Sequence, residues 1–225
     1  MIRRLEREDF IKYRTRRYIA PATVVVVSGD FNQKYVTTRV KKFFGHLRRQ
    51  PKSPKPKTRE HQTRPQALIK FKESNQTHLV LGTRAFTIFN KRRYALQVLS
   101  DILGGGMSSR LFRRIREELG AAYYVRASSD LFLDHGYFAV SAGVDHAKIN
   151  IVIEAILQEF GRMREEFVEP KELRKAKEHM TGGLILGLET SDELAAFYGG
   201  QEILTNSIIR PEEFMRRIQR VSAEE

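Results

Sequence analysis

Residues 104–124, Gly-Gly-Gly-Met-Ser-Ser-Arg-Leu-Phe-Arg-Arg-Ile-Arg-Glu-Glu-Leu-Gly-Ala-Ala-Tyr-Tyr, constrain this chain more than any other stretch. Gly104, Gly105 and Gly106 predict a turn with an open choice of φ. Ser108 or Ser109 can cap the helix that follows. Leu111, Phe112, Ile115 and Leu119 then fall on one helical stripe, with the i,i+4 pairs Arg113/Glu117 and Arg114/Glu118 on the wetter side. Gly120 stands where a left-handed C-cap is wanted.

Helical geometry separates the arginines of this stretch. At about 100° per residue the apolar stripe centres between Leu111 and Phe112. Arg116 lies at its rim, and Arg110, Arg113 and Arg114 point further out. Arg116 is therefore the cation predicted to be held against other protein. In the strand that follows, Tyr123, Val125 and Ala127 share one face and Tyr124, Arg126 and Ser128 the other.

In this order, the glycines, Ser-Arg-Leu-Phe, and Arg116-Glu-Glu-Leu-Gly-Ala-Ala-Tyr123 resemble the signature of the second repeat of pitrilysin/insulinase-type zinc peptidases. That family includes the mitochondrial processing peptidases and their bacterial relatives. The resemblance implies two homologous α+β domains. The first carries zinc on an inverted His-x-x-Glu-His motif. The second supplies an Arg and a Tyr, seven residues apart, that hold the substrate and help stabilise the tetrahedral intermediate. Arg116 and Tyr123 have that spacing. By the same resemblance Gly104, Gly105 and Gly106 correspond to a short form of a substrate-side glycine-rich loop. Taken alone, Arg116 reads as a surface cation and Tyr123 as a core aromatic; the surrounding pattern favours the family reading.

A chain of 225 residues allows one large domain or two small ones. It has no cysteine, which excludes disulfides and thiolate metal sites and leaves the compartment open. No apolar run approaches the length of a membrane span, and Met-Ile-Arg-Arg-Leu-Glu at the start has no apolar core of a signal peptide. The charge is uneven: residues 1–65 hold 18 Lys/Arg against 5 Asp/Glu, and the other 160 residues hold 22 of each. A basic end can bind nucleic acid or an anionic surface. Without interleaved aromatics or a recognisable module, it reads instead as a solvated face plus a linker.

Taken in order, residues 5–17 predict a helix. Residues 22–28 predict a buried strand, because Thr-Val-Val-Val-Val is β-branched and apolar on both faces. Asn32 can cap a helix that Gly45 stops. Tyr18-Ile-Ala-Pro21 and Val27-Ser-Gly-Asp30 approximate the end of the family's first domain. Residues 47–66 are proline-punctuated and cationic, an extended linker. Residues 67–72 and 78–83 predict strands across a turn at Ser74-Asn75, and 91–103 a helix. Residues 123–128 and 137–143 predict a hairpin. Helices are expected at 146–160, from Pro170, at 192–204 and at 211–221. The chain then stops where family members continue with a helix and a closing strand.

The six histidines include no pair with zincin spacing in either orientation. Glu60-His61 and Glu178-His179 are isolated and read as surface. The glycines lack the pattern of a phosphate loop or a dinucleotide fingerprint.

The expectation is thus an α+β fold, an antiparallel-rich sheet with helices packed on one side. Residues 1–46 correspond to the remnant of a first repeat, 47–66 to the linker and 67–225 to a truncated second repeat. The resemblance implies the substrate-binding, non-zinc half of a peptidase acting on extended peptides or unfolded protein. Zinc would be held by a first half, from the same gene or a partner subunit, in a homo- or heterodimer. Arg116 and Tyr123 are the expected catalytic and substrate-binding residues, with Gly104, Gly105 and Gly106 lining the substrate and no metal ligand in this chain. The alternatives are a catalytically inactive scaffold or partner subunit and, from another class, a basic nucleic-acid-binding module.

Overall fold

A computed structural model describes residues 2–225, and these fall into two compact units. One holds the chain up to Lys57 together with Ile185–Ile209. The other holds Thr58–Leu184 and Arg210–Glu225. The units follow contacts, so α6 (Ser191–Thr205) groups with the N-terminal residues although it lies within the expected second repeat.

In the second unit, β1 (Thr77–Arg84), β2 (Ala122–Leu131) and β3 (Gly136–Val144) form an antiparallel sheet in the order β1-β3-β2. Strand alternation puts Phe138, Val140, Ala142 and Val144 on one face of β3. Val125 and Ala127 stand beside them, opposite Ala142 and Val140. This face packs on α3 (Arg93–Gly104) through Leu96 and Leu103, and on α4 (Ile149–Glu165) through Val152, Ala155 and Ile156. A second cluster joins Tyr94, Val98 and Ile102 of α3 to Ala176 of α5 (Pro170–Leu186) and Ile218 of α7 (Pro211–Arg220). Helices on one face of an antiparallel sheet are the α+β arrangement expected.

The first unit contains α1 (Arg7–Arg17), α2 (Gln33–Phe44) and α6. Asn32 caps α2 as expected, its side chain accepting from the Tyr35 N–H at 3.0 Å. The expected strand at 22–28 does not form. Val24 to Val27 carry no regular structure and are 38–44% exposed, and among the described residues no strand pairs with them. A β-branched run favours extended backbone, yet a strand exists only where a neighbour takes up its N–H and C=O groups. The expected strand at 67–72 fails for the same reason. Its Leu68, Ile69 and Phe71 are at least 83% exposed, and among the described residues β1 pairs only with β3.

Candidate substrate-holding site

The glycine segment owes its residues to close approach. Gly104 is the last residue of α3, Gly105 follows in ordinary right-handed backbone, and neither has a positive φ. The expectation of unusual φ is therefore corrected. A Cβ on Gly104 would lie 2.1 Å from the Ala127 backbone nitrogen, and one on Gly105 2.2 Å from Asp101 Oδ1. α3 can thus run its end directly onto β2 only because Gly104 lacks a side chain, while the bare Gly105 leaves room for the Asp101 carboxylate. Gly106 has room, with the His179 ring 3.7 Å from its Cβ position. Ser109 turns its hydroxyl back to the Gly106 carbonyl at 2.6 Å, so it closes the glycine turn and does not cap the helix.

The helix that follows is wide. Phe112–Glu118 is a π-helix: the Leu119 N–H reaches back five residues to the Arg114 carbonyl. Gly120 ends it at φ +53°, the left-handed conformation expected. A wider helix turns through fewer degrees per residue, so the placement of the arginines at 100° steps fails. Leu111 and Ile115 stay fully buried, but the held cation is Arg110. Its Nε and Nη2 donate to the two carboxylate oxygens of Glu172 on α5, at 2.9 and 2.6 Å. Buried Glu159 of α4 lies 3.9 Å from the same guanidinium and 3.1 Å from Arg162. The Glu172 hydrogen bond is the main reason that Arg110 holds its proton even more firmly than a free arginine. The single-stripe argument missed this because the segment is covered on two sides, by the sheet core and by α5.

Arg116, expected against other protein, is exposed, its guanidinium 4.9 Å from the Phe112 ring centroid. Tyr123 does not share the buried face of Val125 and Ala127. Val144 pairs with Ala122 and Gly143 with Tyr124, so Tyr123 is the extra residue of a β-bulge. It stands 62% exposed, and its hydroxyl has no hydrogen-bond partner among the described residues. Tyr124, on the opposite face, bonds His78 Nδ1 at 3.1 Å.

Asp101 was not singled out in the sequence, and His179 was read as an isolated surface residue. Asp101, in the last turn of α3, accepts from or shares a proton with His179 Nδ1 at 2.8 Å. Burial pushes the Asp101 carboxyl above its ordinary range, opposed by the hydrogen bond and charge of His179. The available signal was spacing: Glu172 and His179 lie seven residues apart on α5, two turns along one face. Asp101 and Arg110 bracket the glycines.

Zinc requires three converging protein ligands. Among the described residues no three His, Asp or Glu side chains converge in that way, so this chain does not fit the ion. Nor is any described helix long and apolar enough to cross a membrane.

Known proteins resemble this chain over nearly its whole length. Residues 4–180 match the family model described as the peptidase M16 inactive domain. An uncharacterized zinc protease of Mycobacterium leprae is 31% identical over 224 residues, 98% of this chain and 50% of that protein. A second, of Bacillus subtilis, is 30% identical over 217 residues, 96% of this chain and 52% of its own. The chain therefore spans about half the length of these relatives. Among solved structures, a protease from Helicobacter pylori superposes with a TM-score of 0.88 at 21% identity, over 99% of this chain and 55% of that one. The peptidase M16 inactive domain from Pseudomonas fluorescens gives 0.73 at 20% identity, over 87% and 47%. These two share the fold. With the family model matched over most of its length, the chain belongs to the peptidase M16 inactive domains, the half of a zinc-protease-like protein that carries no zinc motif.

Proposed function

We propose that this chain is the substrate-holding half of a zinc-dependent peptidase that hydrolyses peptides in extended conformation. A half bearing His-x-x-Glu-His, from the same gene or a partner subunit, completes it as a homo- or heterodimer. Zinc on that half would supply the activated water; this chain supplies the groups that hold the peptide. The observation that carries the reading is Tyr123: a bulge lifts its ring out of the buried face and leaves the hydroxyl unpartnered beside the signature helix. An exposed tyrosine hydroxyl can donate to the oxyanion of a tetrahedral intermediate. Arg116, exposed over the Phe112 ring, can take peptide carbonyls or acidic side chains. Recognition by strand addition to a sheet edge suits an extended substrate. In this reading residues 1–46 are the end of the first repeat, 47–66 a linker and 67–225 the second repeat, with Gly104, Gly105 and Gly106 on the substrate side.

The test is reconstitution with a His-x-x-Glu-His half. This chain alone should not cut peptides, and the pair should. Tyr123→Phe should then lower kcat by about 10²–10³-fold, the usual effect of one lost oxyanion donor. Arg116→Ala should act mainly through KM. Arg113→Ala, on the exposed side of the same helix, is the control. If Arg113 and Arg116 behave alike, or Tyr123→Phe leaves the rate untouched, the scaffold reading takes its place.

A further inference from the structure

The glycine segment is held at both ends by one helix. Before the glycines, Asp101 binds His179 at 2.8 Å; after them, Arg110 binds Glu172 at 2.9 and 2.6 Å. Both α5 residues lie on one face, two turns apart. The polarity alternates: the acid is on the segment in one pair and on α5 in the other. Sliding α5 by two turns would set Asp101 against Glu172, so the arrangement fixes register as well as distance. Between the grips, Gly105, Met107 and Ser108 are exposed, and Met107 is 77% so.

We infer that Glu172 and His179 are positioning residues: together they clamp the segment between Asp101 and Arg110, and so fix where the helix carrying Arg116 begins. Neither is proposed to touch substrate. Arg110 starts the turn that leads into Phe112–Glu118, and Ser109 is anchored through its hydroxyl to Gly106. A shift at Arg110 therefore passes along a hydrogen-bonded helix to Arg116. The consequence for peptide binding rests on the function proposed above; the clamp itself does not.

The test uses the full chain paired with its zinc-bearing half and has two arms. Amide hydrogen exchange at residues 104–110 reads the clamp. Glu172→Gln and His179→Ala should each speed exchange there while leaving β3 protected. His179→Asn, whose side-chain amide can still donate to Asp101, should restore slow exchange. Glu172→Asp, which keeps a carboxylate for Arg110 and leaves Arg110 beside Glu159, should exchange more slowly than Glu172→Gln, which guards against a single variant that merely unfolds. Steady-state cleavage of an extended peptide reads the consequence. KM should rise on the order of 10- to 100-fold, the scale of a misplacement near an ångström, while kcat, which depends on Tyr123, changes less. Unchanged exchange in both single variants overturns the clamp. Faster exchange with unaltered KM, or equal losses in kcat and KM that neither conservative variant rescues, overturns the positioning role. If the unsubstituted pair cuts no peptide, the function reading fails and takes the consequence for KM with it, whereas the exchange arm still decides the clamp.

Discussion

Glu172 receives Arg110 through both carboxylate oxygens, at 2.9 and 2.6 Å, across a largely buried contact between α5 and the start of the signature helix. Forked pairs of this kind have fixed geometry as well as charge attraction. Removing one partner leaves the other buried and unpaired, which is where the cost arises. Glu172→Ala should therefore lower stability by about 3 kcal/mol, at the low end for a broken buried pair. Arg110→Ala should cost the same or more, because it also takes a cation from beside buried Glu159, which keeps Arg162. Urea unfolding of both variants checks this; a change within a few tenths would mean that the pair behaves as a surface salt bridge.

The glycines make a sharper distinction. At Gly104 an added methyl meets the Ala127 backbone at 2.1 Å, where only movement of α3 or β2 gives relief. At Gly106 it meets the His179 ring at 3.7 Å, an ordinary contact. Gly104→Ala should destabilise by about 1–3 kcal/mol, as overpacking does, and Gly106→Ala should be close to neutral. Thermal melts of the two variants separate them. Equal melting temperatures would show that α3 does not lie on β2 as described.

Most helices were legible because amphipathic spacing and end signals are local. Asn32 before α2, Pro170 opening α5 and Gly120 closing the π-helix each act within a turn or two of chain. Strands at 22–28 and 67–72 were not legible. Their composition states a preference for extended backbone, and pairing depends on residues elsewhere. The site was half legible. Arg116 and Tyr123 were picked out by spacing, but a bulge, which is one extra residue in a ladder, decided where Tyr123 points. Arg110 was misplaced because helical periodicity was taken to have one buried side, and α5 supplies a second.

Asp101 offers a prediction in pH. Burial holds its carboxyl above the ordinary range, with His179 opposing. A raised value in the folded state means that the folded chain binds the proton more tightly. The group's stability contribution is then complete below its unfolded value and is lost as pH rises through the folded one. Asp101→Asn cannot titrate. Its stability relative to the unsubstituted chain should therefore improve as pH rises from about 3 to 6. Denaturant unfolding at several pH values gives the slope. A flat difference, or one falling with pH, would place the folded value at or below the ordinary one.

The basic linker is uniform in composition but not in its contacts, and proteolysis should see the difference. Lys52 and Lys57 lie in exposed, proline-rich chain without regular structure. Beyond them the chain is pinned. The Thr58 N–H donates to Asp134 at 2.8 Å, and its hydroxyl lies 3.2 Å from His135 Nδ1. Arg84 pairs with Glu60 at 3.1 Å and donates to the Gln62 carbonyl at 2.6 Å. A protease must draw several residues of extended chain into its cleft, so hydrogen-bonded backbone resists it. Among the linker sites trypsin should therefore cut first after Lys52; Lys55 is poor because Pro56 follows, and the Lys57–Thr58 bond carries the pinned N–H. The cut after Arg59 should come later, and Arg64 is as poor a site as Lys55 because Pro65 follows it. Arg84→Ala removes both the ion pair and the carbonyl contact, and should bring cleavage at Arg59 forward without altering cleavage at Lys52. Mass spectrometry of the first fragments decides it. Initial cleavage within residues 90–160 would contradict the compactness of the sheet unit, and early cleavage at Arg59 in the unsubstituted chain would mean that the Thr58 and Arg84 contacts do not hold the linker.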